Sequence, residues 1–296
     1  MRKRPTAIFV LAAVLALTGG CGQAKAGTAL PKGDDAAEYV GAKFEQVIGK
    51  LGKSITDTRD VTNSLDAYFK FDDKWIHSVV TSARAGSPEN RAVRHRSLKN
   101  PDEIIDTYTP ADGAVEYTYL GPVYVQKGVS PTAWVSMPKS EAGVPACAWG
   151  GVLTPCRMAE STVAAYEADK RAVRGAKSLG DGKTALTVDV PFDVFVKKRV
   201  EILPQSLVDQ IGPELKKAAV PATITLNPDG SLVSFVMEAK FTGDGHQLEL
   251  KYEFRFTGKA SLQDMPKLPD ASQITVLPDR AAMDDFYRRL GEAQGS

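Results

Sequence analysis

Apolar side chains recur at two periods along this chain, and the change of period marks the predicted elements. From Asp35 onward they follow helical spacing, and Asp35 with Glu38 three residues later forms a capping box that predicts a helix start. From about residue 61 the period becomes two, as in a strand with one buried face. Turn-forming pairs such as Asn100-Pro101 separate the strands that follow. The predicted strands of this half cover residues 61–71, 75–81, 92–98, 114–120, 123–127 and 132–137.

The second half begins with helical patterns and ends with strands. A hairpin is predicted around Asn227-Pro228-Asp229-Gly230, because this turn sequence lies between two apolar runs. Strands and helices do not alternate regularly, so a parallel sheet is not expected. We therefore predict an α+β fold: a single curved antiparallel sheet, or half-barrel, with helices packed on its concave face. The predicted helices cover residues 158–177, 192–202, 205–218 and 281–290, and the predicted strands cover residues 186–190, 223–226, 232–241 and 248–256.

The N-terminus predicts export and attachment to a membrane. Basic residues 2–4 precede an apolar run at residues 7–17, which is too short for a membrane anchor, and small residues then lead to Cys21. This arrangement resembles a bacterial lipobox, in which the cysteine is acylated, and two or three acyl chains hold a protein firmly at a membrane. Leu17 stands four residues before Cys21, whereas the usual pattern has three. A competing cut after Ala26 would remove Cys21 and leave a secreted protein.

These signals divide the chain into three predicted parts. Residues 1–20 form a signal peptide, residues 21–34 the lipidated cysteine and a flexible tether, and residues 35–296 a single domain. Within the domain, we expect a disulfide-stapled loop and a helical insertion near residues 140–180.

Two cysteines remain after either cut, and an even pair in an exported chain predicts a disulfide. Cys147 and Cys156 would close a loop of about ten residues, which stabilises by about 2.5–3 kcal/mol in the chain-entropy model. A metal or redox pair is the alternative, but it would need C-x-x-C spacing or nearby histidines. We interpret the pair as structural.

Charge and hydropathy exclude two classes of protein. The formal net charge is +1 over 296 residues, so nothing in the charge balance predicts a nucleic-acid partner. Mean hydropathy is −0.20, and no apolar run reaches the length of about 18 residues that a membrane span requires. A polytopic membrane protein is therefore not expected.

A search for catalytic or cofactor chemistry finds no strong motif. The histidines His77, His95 and His246 are far apart in sequence, and neither H-E-x-x-H nor G-x-S-x-G occurs. Residues 180–184 imitate the end of a phosphate-binding loop, but a strand follows and not the required helix. We predict no enzyme activity, no cofactor and no metal site. A hydrolase remains the rival if one histidine lies in a cleft beside a carboxylate and a hydroxyl.

Two basic residues on one predicted strand could bind a ligand as well as face solvent. Arg94 and Arg96 lie on the same strand face, where they could meet an anionic headgroup. The simpler interpretation is a solvated face.

The leader, the first helix, the strand meander and residues 220–233 (VPATITLNPDGSLV) together resemble a known group. The chain is similar to the LolA/LolB-like bacterial lipoproteins, nearest the LppX and LprG type of actinobacterial envelopes. In that group a Val-Pro segment, a strand, an Asp-Gly turn and a return strand recur in the C-terminal half. The resemblance covers about residues 35–276, but it does not extend to the region around Cys147 and Cys156.

The resemblance implies a membrane-anchored extracytoplasmic lipoprotein that binds, and can carry, a lipid or lipid-linked envelope molecule. The ligand would occupy an apolar cavity between sheet and helices, where buried methylene groups contribute about 0.8 kcal/mol each. We also expect palmitate on Cys21. The sequence does not identify a protein partner. The alternative is a membrane-tethered interaction module with a solid core. The candidate cavity wall consists of Val40, Phe44, Val47, Leu51, Phe69, Phe71, Leu250, Tyr252 and Phe254.

Overall fold

The computed structural model describes residues 34–139 and 146–295, without the side chains of residues 34–41, 43 and 295. Cys21 and the side chain of Val40 therefore lie outside the described residues. The helices are α1 (Asp34–Thr56), α2 (Pro122–Gln126), α3 (Leu153–Ala168), α4 (Phe192–Lys197), α5 (Gln205–Val208), α6 (Pro213–Lys217) and α7 (Arg280–Gly295). The strands are β1 (Val61–Phe71), β2 (Lys74–Ala85), β3 (Asn90–Ser97), β4 (Ile104–Thr109), β5 (Val115–Leu120), β6 (Trp134–Pro138), β7 (Val173–Ser178), β8 (Thr184–Pro191), β9 (Ala219–Leu226), β10 (Leu232–Gly243), β11 (His246–Lys259) and β12 (Ile274–Val276).

The described strands form one open twelve-stranded sheet in an α+β fold. Their order is β12-β6-β5-β4-β3-β2-β1-β11-β10-β9-β8-β7. Neighbouring strands are antiparallel except β12 and β6, which are parallel. This pair corrects the prediction of a wholly antiparallel sheet. The physical reason is the connection: residues 260–273 run from β11 in the middle of the sheet to β12 at its edge, and a hairpin return to β6 is not required.

Register places side chains from distant strands on common faces. On one face Leu65 pairs with Phe254, Phe254 with Phe235, and Phe235 with Ile224. These side chains are all buried in the main core. Helices α1, α3, α4 and α6 contribute buried residues to the same core, so they cover this side of β1 and β7–β11. We call it the covered face.

A second, smaller core continues on the covered face over β5 and β6. Leu120 and Val135 from these strands are buried with Tyr124 of α2 and Phe286 of α7. The C-terminal helix α7 therefore covers β5 and β6, a part of this face that α1, α3, α4 and α6 do not cover. Among the described residues, no helix combines the length and apolarity that a membrane span needs.

The opposite face is crossed by residues 260–273, which we call the strap. Met265 of the strap packs on Ala83 and Ala85 of β2 and on Ala260. Ala83 pairs in register with Thr62 and Ala92, so all three lie on this second face. We call it the strap face.

Two predicted elements differ in type from the structure, in whole or in part, and one observed strand of the first half was not predicted. The strand expected at residues 123–127 is helix α2, because Pro122 occupies its first turn and the apolar run that follows is compatible with either element. The helix expected at residues 158–177 is α3 followed by edge strand β7; the side chain of Asp169 accepts a hydrogen bond from the Arg171 amide at 2.9 Å, where the helix stops. Strand β4 was not predicted, since its polar and apolar residues do not alternate cleanly.

Candidate functional site

The predicted cavity wall lies in the main core. Phe44 and Leu51 of α1 face this core from one side, and Val47 packs against it half-buried. The strand residues Phe69, Phe71, Leu250, Tyr252 and Phe254 face it from the covered face of the sheet. Within the helix layer, the ring centres of Phe44 in α1 and Tyr166 in α3 lie 4.6 Å apart.

Part of the wall is covered by residues 192–217, which contain α4, α5 and α6; we call this segment the cover. Phe195 of α4 lies with its ring centre 5.4 Å from that of Tyr252, and Phe192 lies 5.6 Å from Phe241. The three helices have four to six residues each. Helices this short are not stable alone, so apolar contacts with the wall hold the cover in place.

One polar cluster interrupts this apolar layer. The hydroxyl of Tyr252, which is 0% exposed, donates to Glu201 Oε2 of the cover at 2.6 Å. Glu201 also accepts from the Ile202 amide through Oε1 at 3.1 Å. Arg157 of α3 donates to the Arg199 carbonyl at 2.9 Å and contributes a favourable charge to Glu201. A carboxylate and a phenol are thus hydrogen-bonded where the cover joins the wall, and the charge of a nearby guanidinium acts on the carboxylate.

Burial dominates the electrostatics of this cluster. It raises the pKa of Glu201, although the bonds from Tyr252 and Ile202 and the charge of Arg157 act in the opposite direction. Burial also raises the pKa of Tyr252 well above its ordinary value, and the neighbouring carboxylate adds to the shift. The phenol therefore remains a hydrogen-bond donor throughout the physiological range.

A comparable pair on the other side of the core serves as a reference. Tyr166 of α3 is buried, and its hydroxyl donates to Glu45 Oε1 of α1 at 2.9 Å. Glu45 is exposed, so this pair lies at the surface between two long helices. The Glu201–Tyr252 pair differs because its carboxylate belongs to the cover.

The structure contains the predicted disulfide between Cys147 and Cys156, with an S–S distance of 2.03 Å. The loop that it closes carries Trp149, whose ring centre lies 5.7 Å from the guanidinium carbon of Arg84. Arg84 is 3% exposed and donates to the carbonyls of Ile55 and Thr56 at the end of α1. The disulfide loop therefore packs over the point where the first helix meets the sheet.

The three histidines lie apart from one another in the structure. Two of them lie beside an aspartate, and the third is half-buried. His77 Nε2 lies 2.8 Å from Asp66 Oδ1 on the strap face. His246 Nδ1 lies 2.8 Å from Asp72 Oδ2, and Asp72 also accepts from the Gln247 amide, so this carboxylate joins two neighbouring hairpin turns. Burial and the charge of Arg96 lower the pKa of His95. Among the described residues, no group of three or more His, Cys, Asp and Glu side chains is placed to hold a metal ion.

Two residues of the polar cluster were not identified from the sequence. Glu201 lies in the run Val200-Glu201-Ile202-Leu203-Pro204, where a single carboxylate among apolar residues is the only signal. Nothing in the sequence around Arg157 marks it as a site residue, because its proximity to Glu201 depends on the packing of α3 against α4.

No protein-family model matches the chain, and neither does any curated protein sequence. Among solved structures, the lipoprotein LppX of Mycobacterium tuberculosis is similar with 14% identity and a TM-score of 0.31, over 74% of this chain and 94% of that one. A DUF1329 family protein from Desulfovibrio piger has 10% identity and a TM-score of 0.20, over 80% of this chain and 95% of the other. Both scores are low, so the proposals below rest on the residues of this chain.

Proposed function

We propose that this chain is an exported lipoprotein, anchored through Cys21 to the extracytoplasmic face of the cell membrane, that binds a lipid or lipid-linked envelope molecule. The apolar part of the ligand would lie between the wall and the cover, in place of the contacts made by Phe192 and Phe195. Its polar group would meet Arg157 and Tyr252.

The observation that carries this proposal is the Glu201–Tyr252 hydrogen bond inside an otherwise apolar layer. Buried polar groups require partners, so a ligand that displaces Glu201 must supply an acceptor to the phenol. A headgroup oxygen meets that requirement, and acyl methylenes replace the apolar side chains at little net cost.

In this proposal, the ligand enters when the cover moves away from the wall and the rest of the fold stays in place. The cover consists of helices of only four to six residues that depend on their packing against the wall, so it can open as a local unit while the sheet stays folded. In the described state the rings of wall and cover are in contact, so ligand entry requires the cover to move.

The test is mass spectrometry of an organic extract from residues 22–296, which lack the acylated cysteine, produced in an actinobacterial host and purified without detergent. We expect a co-purifying lipid near one per protein. Tyr252→Phe keeps the ring but removes the donor, and should reduce the retained lipid about fivefold to tenfold, which corresponds to one hydrogen bond. Tyr166→Phe is the matched control, because it removes the same group from the reference pair. A wild-type chain without lipid would contradict the proposal.

The second candidate function is a membrane-tethered interaction module. Two observations favour it: the wall is packed against the cover, and a set of large apolar side chains is exposed at one end of the sheet. Trp75, Ile76 and Leu98 are 37%, 48% and 51% exposed. A lipid-free chain in the extraction experiment would favour this alternative.

A further inference from the structure

The strap face carries a continuous row of side chains that the lipid proposal does not use. Register pairs adjacent members across six strands, from β1 to β6. The row begins with hydroxyls, passes through charged groups and ends with aromatic rings. Its members are Ser64, Thr81, Arg94, Asp106, Tyr119 and Trp134.

Two cavities lie along this row beneath the strap, and we call them together the strap groove. The first has a volume of about 450 Å³ and is lined by hydroxyl-bearing residues of the sheet and by Gln263 and Asp264 of the strap. The second has a volume of about 200 Å³ and is lined by aromatic residues and Pro266. Arg94 and Ala92 border both. The first cavity alone lies in the usual range for small-ligand sites, about 300–1,000 Å³.

Arg94 provides a free donor at the junction of the two cavities. Its side chain is exposed, and no described residue lies within hydrogen-bonding or ion-pair distance of the guanidinium. Its neighbour Arg96 differs, because Asp106 binds it with both carboxylate oxygens, one of them at 2.9 Å. Of the two arginines that the sequence suggested could meet an anionic headgroup, only Arg94 is therefore available to a ligand.

Acceptors accompany this donor. Asp264 of the strap accepts from the Ser261 amide at 2.7 Å, and the charge of Arg94 helps to lower the pKa of that carboxyl. Asp106 lies beside Arg94 in the row. Two carboxylates offset the positive charges of Arg94 and Arg96, so the groove is not strongly positive. This balance disfavours a phosphate or another compact anion and favours a ligand that both donates and accepts hydrogen bonds.

The aromatic end supplies flat apolar surface. The ring centres of Tyr119 and Trp134 lie 5.3 Å apart, and those of Tyr108 and Tyr117 in the next row lie 6.3 Å apart in a stacked arrangement. All four side chains are half-buried. A pyranose ring has apolar C–H faces that pack on such rings, and hydroxyls at its edge that suit arginine, carboxylate and threonine partners.

We propose that the strap groove is a saccharide-binding site. One sugar ring lies against Tyr119 and Trp134, and a neighbouring sugar directs its hydroxyls to Arg94 and Asp264. The site is on the opposite face of the sheet from the lipid site, so it does not depend on the proposed function. The sugar can belong to a soluble oligosaccharide or to the headgroup of a glycolipid, since the recognised chemistry is the same.

The test uses residues 22–296, which lack the acylated cysteine and so have no anchor that inserts into vesicles, and two kinds of probe. The first is a set of soluble di- to tetrasaccharides of glucose, mannose, galactose and N-acetylglucosamine, titrated by isothermal titration calorimetry. The second is vesicles of phosphatidylcholine with digalactosyldiacylglycerol, compared with phosphatidylcholine alone. Binding to the soluble set identifies free saccharide as sufficient, whereas binding only to the glycolipid vesicles assigns the site to a headgroup.

Variants locate the site. Trp134→Ala and Arg94→Gln should each weaken binding about tenfold or more, as expected for central contacts of a small interface. Trp75→Ala is the matched tryptophan control on the same face, and Arg174→Gln is the arginine control at the far edge, where Arg174 pairs with Asp189. Arg94→Gln removes no described hydrogen bond, so it tests the site even if Trp134→Ala unfolds the chain.

Two results would overturn the proposal. The first is no binding of any soluble saccharide at millimolar concentration together with equal binding to vesicles with and without the sugar lipid. The second is wild-type affinity in the folded Arg94→Gln and Trp134→Ala variants. A wild-type chain that retains lipid but binds no sugar would refute the saccharide site and leave the lipid proposal standing, because the two sites lie on opposite faces.

Discussion

Two arginines, one on each face of the sheet, lie in opposite environments. On the covered face, Arg84 is 3% exposed, and both of its terminal nitrogens donate to carbonyls at the end of α1. On the strap face, Arg94 is exposed and has no bonded partner among the described residues. A buried guanidinium must be hydrogen-bonded, because its desolvation is costly, whereas an exposed one can remain available for a ligand.

The comparison extends to the aromatic residues. Phe235 and Phe254 are 0% exposed and packed below the helices, whereas Tyr119 and Trp134 stay half-buried below a strap that leaves cavities. We infer that the covered face provides most of the stability, and that the strap face is free to specialise in recognition.

The largest expected effect is in the core. Phe254→Ala removes a fully buried ring between Leu65 and Phe235, and should lower the free energy of unfolding by about 3–5 kcal/mol. Urea denaturation measures it. Trp75→Ala, an exposed aromatic on the strap face, should cost less than about 1 kcal/mol. Equal losses in the two variants would refute the division between the faces.

The arginine comparison predicts a smaller difference. Arg84→Ala leaves the carbonyls of Ile55 and Thr56 without their donor, and should destabilise the chain by about 2 kcal/mol or more. Arg94→Ala should change the unfolding free energy by no more than about 0.5 kcal/mol. Both are measured in the same denaturant series. A large loss at Arg94 would mean that this side chain has a structural role.

The smallest expected effect is the pH dependence of Glu201. Burial raises its folded-state pKa above the ordinary value of 4.5, so the folded state binds the proton more tightly than the unfolded state. Its stabilising contribution is complete below that ordinary value and is lost as the pH rises through the folded-state pKa. Glu201→Gln should therefore gain stability relative to wild type as the pH rises toward neutral.

Denaturation of both proteins across this pH range measures the effect. Glu160→Gln, at an exposed position of α3, shows how much change results from loss of a surface carboxylate alone. A difference between wild type and Glu201→Gln that does not vary with pH would contradict the assignment.

Much of the fold was predictable because side-chain alternation is local. The period of two across residues 61–71 and 248–256 predicted strands β1 and β11 and their buried faces, and the Asn227-Pro228-Asp229-Gly230 turn predicted the β9–β10 hairpin. Helix α2 and strand β7 were not predicted, since short segments follow their tertiary neighbours more than their own preferences.

The candidate sites were less predictable. Tyr252 was identified as a wall residue from the alternation of β11, but its partner Glu201 belongs to a loop 51 residues away in sequence. Arg94 was noted as one of a basic pair, and only the structure showed that Asp106 engages Arg96 and leaves Arg94 free.

By itself the sequence predicted the cysteine pair, the strand periods and which side chains of each strand share a face. Tertiary structure decided which face the helices cover, where the strap crosses, and that Ser64, Arg94 and Trp134 fall in one row. The physical reason is range: periodicity arises from the backbone geometry of neighbouring residues, whereas a row across six strands requires the register of every pair between them.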